Sequence, residues 1–194
     1  MAEDEFKAGL QHYLQQARDA LLWKLEGLSE YDLRRPLVPT GTNLLGLVKH
    51  LATTEAGYFG QVFGRPCPDE QFPWPWPDDL EDNVDMYATA DESSAEIIAM
   101  YRRVNAHSDQ TIEALPLDAT GTVPWWREEH QTVTLHRILI HMIAELNRHV
   151  GHADLAREMI DGAAGHRQEN SNMPPEHDQA AYRARLETIA LGFR

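Results

Sequence analysis

Hydrophobic residues recur at steps of three and four in four separate stretches of the chain. This spacing places the apolar side chains of each stretch on one face of a helix, so it predicts amphipathic helices. We find no strand-like alternation of polar and apolar residues and no internal repeat. The pattern predicts an all-α fold, a bundle of four main helices joined by long loops. The predicted helices cover residues 3–28, 42–63, 93–115 and 132–160.

Residues that start and stop helices separate these stretches. Thr42 or Asn43 is suited to cap the second helix, and Ser93 or Ser94 the third, because their side-chain oxygens accept hydrogen bonds from the first free backbone N–H groups. Gly162 is expected to end the fourth helix.

The connections are rich in proline and tryptophan. The longest, residues 64–92, contains five prolines together with Trp74 and Trp76, and a later connection contains Trp125 and Trp126. Such aromatic residues can line a pocket or cover the end of a bundle, and the sequence does not decide between the two.

The length of 194 residues is typical of one domain. We assign residues 1–165 to the bundle. Residues 166–194 are expected to form an extension that packs on the same domain, with a short helix from 176 to 191.

Composition and charge narrow the function classes. With 31 acidic and 17 basic residues the formal net charge is −14, so the chain lacks the clustered Lys and Arg of nucleic-acid-binding proteins. No stretch approaches the roughly eighteen unbroken apolar residues of a membrane helix, and the acidic start does not resemble a secretory signal. We therefore expect a cytoplasmic protein that binds neither nucleic acid nor membrane. Cys67 lies between two prolines and is interpreted as an ordinary loop thiol.

Candidate chemistry is concentrated on the fourth predicted helix. His141, Glu145, His149 and His152 lie within roughly 80° of one another on its surface. Burying such groups in a bundle is costly unless they are paired or bind a metal. Glu145 and His149, four residues apart, can hold one cation from consecutive turns, although the same spacing also suits a surface ion pair. His141 and His152 are interpreted as outer or substrate-facing groups.

A third metal ligand must come from another helix. His50 is the leading candidate because Leu47, Val48 and Leu51 mark its surroundings as a core-facing stretch of the second predicted helix. The alternative is an ordinary hydrogen-bonded histidine with no metal.

These segments resemble a known family. The stretch from Leu44 to Glu55, which contains His50, and the stretch from His141 to Asp154 are similar to the DinB/YfiT superfamily. The greatest similarity is to an actinobacterial branch of unassigned function, related to mycothiol-dependent maleylpyruvate isomerase.

The resemblance implies a fold and a ligand set. It implies an up-down-down-up four-helix bundle, often dimeric, with zinc or nickel in an open site. The isomerase holds its metal with a helix-two histidine and with a Glu and a His four residues apart on the last bundle helix. These positions correspond here to His50, Glu145 and His149. More typical DinB members have a histidine where Glu145 stands, so the sequence follows the mycothiol-linked pattern.

The leading functional hypothesis is a metal-dependent transferase or isomerase that uses a low-molecular-weight thiol, such as mycothiol, and an electrophilic substrate. Zinc is the expected ion, nickel is the second choice, and a homodimer is the expected assembly. In this hypothesis His141 or His152 moves protons, and Arg148 and Arg157 bind an anionic group if they face the site. Two alternatives stay open: a metal-dependent hydrolase with Glu55 or His152 as base, and a non-enzymatic metal-binding stress protein.

Overall fold

The computed structural model describes residues 2–68, 81–171, 173–174 and 178–194, with side chains from residue 4 onward. Within these ranges the chain is mainly helical, which confirms the all-α prediction. None of the described helices is both long enough and apolar enough to span a bilayer. The described helices are α1 (Ala2–Trp23), α2 (Glu30–Arg34), α3 (Leu44–Glu55), α4 (Ser94–Ala114), α5 (Leu135–Asp161) and α6 (Gln179–Leu191).

The helix ends follow the signals in the sequence. Asn43 Oδ1 accepts the Gly46 N–H at 2.7 Å at the start of α3, and Ser93 caps α4 in the same way. Thr134 caps α5, which ends where Gly162 adopts a left-handed conformation with φ of 80°. A β-carbon would strain that conformation, so glycine is the residue that suits it.

The second predicted helix is not one regular α-helix. After α3, residues Ala56–Gly60 form a π-helix and Gln61–Phe63 form a 3₁₀ turn, which ends at Gly64. A π turn holds one extra residue, so it rotates the side chains that follow, and such turns are frequent at functional sites. Tyr58 and Phe59 on this turn are both buried.

A small hairpin departs from the sequence analysis, which finds no strands. Strands β1 (Thr120–Thr122) and β2 (Thr132–Thr134) pair antiparallel between α4 and α5. Three residues are too few for an alternating pattern to be recognised. The hairpin carries the tryptophan-containing loop and ends directly at the first turn of α5.

The bundle core is mainly apolar and contains a buried ion pair. Helix α1 packs mainly against α5, and α3 packs against α4. Between them Arg18 on α1 donates to Glu55 on α3, with Nε–Oε1 at 3.0 Å and Nη2–Oε2 at 2.6 Å, and also to Asp109 Oδ1 at 2.7 Å. Burial opposes the charge of Arg18, but the two carboxylates outweigh it and raise the pKa of the guanidinium. Through its contacts with Glu55 and Asp109, Arg18 joins α1 to α3 and α4.

The C-terminal extension differs along its length. Residues 166–169 line a cavity against α1, and the carbonyl of Gly165 accepts a hydrogen bond from Lys24. Helix α6, in contrast, has no buried residue. Two positions of the predicted terminal helix, 176 and 177, lie outside the described residues, as do Trp74 and Trp76.

Candidate metal centre

Three side chains from two helices converge on one point. His50 lies on α3, and Glu145 and His149 lie one turn apart on α5. One ligand atom from each residue lies within 4.8 Å of those of the other two. Glu145 Oε1 is 3.9 Å from His50 Nε2 and 3.0 Å from His149 Nε2. Two ligand atoms of a tetrahedral zinc ion are about 3.4 Å apart, given bond lengths of about 2.1 Å. The cluster could therefore hold a divalent ion with small adjustments.

The local sequence explains this convergence. Leu47, Val48 and Leu51 on α3 are fully buried, and they fix the orientation of the helix so that His50 lies at the edge of the core, facing α5. On α5 the four-residue spacing places Glu145 and His149 on the same face. The rings of His50 and His149 meet edge to face, with centroids 4.9 Å apart.

His50 is oriented by a carboxylate that sequence reasoning missed. Its Nδ1 atom lies 2.7 Å from Asp85 Oδ2, and the hydrogen bond to His50 lowers the pKa of Asp85. A carboxylate on one ring nitrogen fixes the tautomer and leaves the other nitrogen, here Nε2, able to bind a metal. Asp85 belongs to a short 3₁₀ turn, Val84–Met86, at the end of the long connection.

The favoured protonation state of His149 is also the one that can bind a metal cation. Burial lowers the pKa of His149, and the neighbouring His50 lowers it further, which favours the neutral imidazole that metals bind. His149 Nδ1 is buried and has no hydrogen-bond partner among the described residues. Within the described chain, the ring is thus hydrogen-bonded at Nε2, to Glu145, and not at Nδ1. Two imidazoles and one carboxylate are a donor set suited to zinc and to several other divalent transition metals.

The cluster opens into a cavity of about 560 Å³. His50 and Glu145 line it directly, so a metal held there would have a side accessible to a small molecule. The remaining described lining residues are Thr53, Thr54, Gly57, Tyr58, Glu81, Asp82, Asn83, Val84, Asp85, Trp125 and His141.

One wall of the cavity is aromatic. The hydroxyl oxygen of Tyr58 accepts hydrogen bonds from the indole N–H groups of Trp125 and Trp126, at 3.2 and 2.9 Å. The Tyr58 ring also packs edge to face on His141, with centroids 4.8 Å apart. Burial lowers the pKa of His141, so its neutral form is favoured. Trp125 therefore lines the pocket, which is one of the two roles that the sequence left open.

The turn Val84–Met86, which carries Asp85, can lie close to α3 because position 46 is a glycine. A β-carbon at Gly46 would overlap the carbonyl group of Met86, which directly follows Asp85. Asn43 Nδ2 donates to the same Met86 carbonyl at 3.2 Å. The absence of a side chain at position 46 thus allows the backbone next to Asp85 to lie on the helix that carries His50.

Two residues named as candidates from the sequence lie away from the cluster. Glu55 is fully buried in its pair with Arg18, so its carboxylate is not placed to act as a base in the cavity. Arg157 donates to Asp161 and to the carbonyls of Lys24 and Glu26. Its guanidinium therefore joins α5 to the end of α1 and does not face the cluster.

The other candidates named from the sequence, His141, His152 and Arg148, lie on α5 near the cluster. His141 lies in the cavity wall, one turn of α5 before Glu145. The ring of His152 is 5.5 Å from that of His149, but His152 lines a separate small groove with Leu155 and Met159. Arg148 is exposed on α5 and is not among the described lining residues of the cavity.

Asp85 and Tyr58 are the site residues that the sequence did not reveal. Asp85 is one of 31 acidic residues, in a connection without periodicity, and it lies 35 positions from its partner His50. Tyr58 depends on a π turn, which leaves no periodic pattern in the sequence. Gly57 and Gly60, at either side of Tyr58 and Phe59, are the only hint of an irregular turn.

Comparison with known proteins gives one match. A family model described as mycothiol-S-transferase matches residues 9–162, a range that includes α1 to α5 almost entirely and every residue of the cluster. No curated protein and no solved structure matches the chain.

Proposed function

We propose that this chain, which belongs to the mycothiol-S-transferase family, is a metal-dependent enzyme that joins a low-molecular-weight thiol such as mycothiol to an electrophilic substrate. The observation that carries the proposal is the convergence of His50, Glu145 and His149 at the wall of an open cavity. Zinc is the ion that we expect, with nickel as the second choice. An isomerase that adds and later releases the thiol would use the same site.

The residues of the chain have separable roles in this proposal. His50, Glu145 and His149 would hold the ion, and a bound divalent ion lowers the pKa of a thiol so that the sulfur is a nucleophile near neutral pH. Asp85 keeps His50 in the tautomer that leaves Nε2 free of hydrogen. The thiol loses its proton, a carbon–sulfur bond forms, and the electrophile either releases its leaving group with the bonding electrons or takes up a proton at a former double bond.

His141 is the residue best placed to move that proton. It lines the cavity beside Tyr58 and Trp126, and its lowered pKa leaves the ring neutral and able to accept a proton. His152 lies on the other side of His149, in the groove with Leu155, so we assign it to the support of the ligand and not to proton transfer.

The proposal is tested by cobalt substitution. Protein loaded with Co²⁺ and titrated with mycothiol, or with a cysteine-based analogue, should develop a sulfur-to-metal charge-transfer band. The Glu145→Ala variant should lose the band, whereas Glu158→Ala, an exposed glutamate on the same helix, should keep it. If no thiol changes the cobalt spectrum between about pH 6 and 9, the range around the pKa of a free thiol, the thiol role is refuted.

Turnover assays separate the remaining alternatives. Conjugation of the thiol to an electrophile should require both metal and thiol, and His141→Gln should lower kcat more than it lowers metal content. Turnover of ester or amide substrates without thiol would support a hydrolase instead. Full metal occupancy with no reaction towards any electrophile would support a metal-binding protein without catalysis.

A further inference from the structure

We infer that the cavity beside the metal cluster selects organic cations, so that the electrophile joined to the thiol carries a positively charged nitrogen. This inference rests on the proposed function for the reaction, but the charge preference is a property of the cavity alone. It follows from the charges of the lining residues, from the aromatic wall, and from the count of charges that would remain with metal and thiol in place.

The lining is strongly acidic. Four of the described lining residues are carboxylates, Glu81, Asp82, Asp85 and Glu145, and none is Lys or Arg. Two cations act on the cavity without lining it: Lys49, which binds Glu92 at 2.8 Å, and Arg137, which lies over the ring of Trp126 and acts on His141.

The excess of negative charge persists with metal and thiol bound. A divalent ion would offset Glu145 and Asp85, and a bound thiolate would then add one negative charge. Glu81 and Asp82 are both exposed at the cavity, and no described Lys or Arg lining the cavity offsets them. A cleft lined by one sign of charge concentrates ligands of the opposite sign and repels those of the same sign.

The aromatic wall offers a second, independent attraction for cations. The side chain of Trp125 is 42% exposed, and it meets the Tyr58 ring edge to face with centroids 5.3 Å apart. Their indole and phenol groups are fixed by the hydrogen bond between them. The face of an exposed Trp attracts ammonium groups, and aromatic sites of this kind commonly bind quaternary nitrogen. Tyr58 is itself buried, so its part is to hold the Trp125 ring in place.

Binding of two unreactive probes of similar size tests the inference. Phenyltrimethylammonium and benzenesulfonate would be titrated into the metal-loaded protein by calorimetry at low salt, with no thiol present. We expect the cation to bind at least tenfold more tightly than the anion, and we expect 0.5 M salt to reduce this ratio because the carboxylates at the cavity mouth are exposed.

Variants assign the preference to named residues. The double variant Glu81→Gln with Asp82→Asn should reduce the cation-to-anion ratio to about threefold or less, with metal content unchanged. The control Glu113→Gln with Asp118→Asn removes two exposed carboxylates outside the cavity and should leave the ratio as it is. Trp125→Leu should weaken the cation by about threefold or more and affect the anion less.

The outcomes are distinct from those of the thiol experiment. Equal affinity for the two probes, tighter binding of benzenesulfonate, binding of neither, or a ratio that the cavity variant leaves unchanged would each overturn the charge preference. A cation preference without any cobalt–thiol band would overturn the proposed function and leave the cavity assignment in place. A cobalt–thiol band without a preference for the cation would overturn the cavity assignment and leave the proposed function in place.

Discussion

At the scale of single residues, the metal cluster depends on a contact between distant parts of the sequence. His50 and Glu145 could be inferred as ligands because each lies on a periodic helix, and the resemblance to DinB proteins supported the same positions. Asp85 could not be inferred, since nothing in its own segment indicates which histidine it meets. Its 2.7 Å contact with His50 Nδ1 is made by tertiary packing alone.

Loss of this carboxylate should weaken metal binding without unfolding the protein. Asp85→Asn keeps the size of the side chain but removes the carboxylate that holds the His50 ring in place through Nδ1, so we expect metal affinity to fall about 10- to 100-fold. Competition with a coloured chelator measures the change. Asp82→Asn, an exposed neighbour that does not contact His50, serves as control, and equal affinities for the two variants would contradict the role of Asp85.

The metal-free protein should lose stability in mild acid. Burial lowers the pKa of His141 and His149 in the folded state, below the value of about 6.5 in an unfolded chain. The unfolded state therefore binds protons first as the pH falls, and the free energy of unfolding decreases from about pH 7 downward. Urea unfolding at pH 7 and pH 5.5 measures this loss, and His141→Gln should make it smaller. A free energy of unfolding that rises as the pH falls from 7 to 5.5 would contradict this prediction.

At the scale of helices and turns, the sequence predicted the long bundle helices and missed the short elements, among them α2 (Glu30–Arg34). Asn43 and Ser93 were each foreseen as one of two candidate caps, and Gly162 as the end of the fourth helix, because capping residues act on their own neighbours. The π turn that presents Tyr58 and the three-residue strands were not foreseen. Both are set by packing against distant segments, which leaves no periodic signal.

The pair of Arg18 and Glu55 should matter for stability and not for chemistry. Glu55→Gln leaves the Arg18 charge buried with Asp109 as its one described carboxylate partner, so we expect a loss of about 3 kcal/mol in the free energy of unfolding, the lower end of the range for broken buried pairs. Urea denaturation measures this loss, and metal content should stay at the level of the unaltered protein. Glu158→Gln, an exposed glutamate on α5, should be nearly neutral. An unchanged stability with lost turnover would instead favour Glu55 as a catalytic group.

At the scale of the whole molecule, the fold consists of a helical body and a terminal helix that contributes no buried residue. The family match ends at residue 162, at the C-terminal glycine of α5. The sequence predicted that residues 166–194 pack on the bundle, and residues 166–169 line a cavity together with residues of α1. Helix α6 exposes Tyr182, Leu186 and Ile189, whose spacing alone could not show whether they are covered.

Removal of residues 178–194 should therefore leave the body intact. Because no residue of α6 is buried, we expect the melting temperature to change by no more than about 2 °C, as for surface changes in a chain of this size. Circular dichroism melting measures the effect, and the metal content of the shortened protein should be unchanged. A fall of more than about 5 °C would show that the extension packs on the domain, as the sequence suggested.

The contact between Gly46 and the carbonyl of Met86 has a consequence for genetics. A methyl group at position 46 displaces the backbone that carries Asp85, so Gly46→Ala damages the metal site although the residue is no ligand. In a selection for restored metal binding, second-site suppressors of Gly46→Ala should arise in the turn around Val84–Met86, which can move away, and not at His50 or Glu145. A substitution at Gly46 would then be tolerated only together with a change in the turn Val84–Met86.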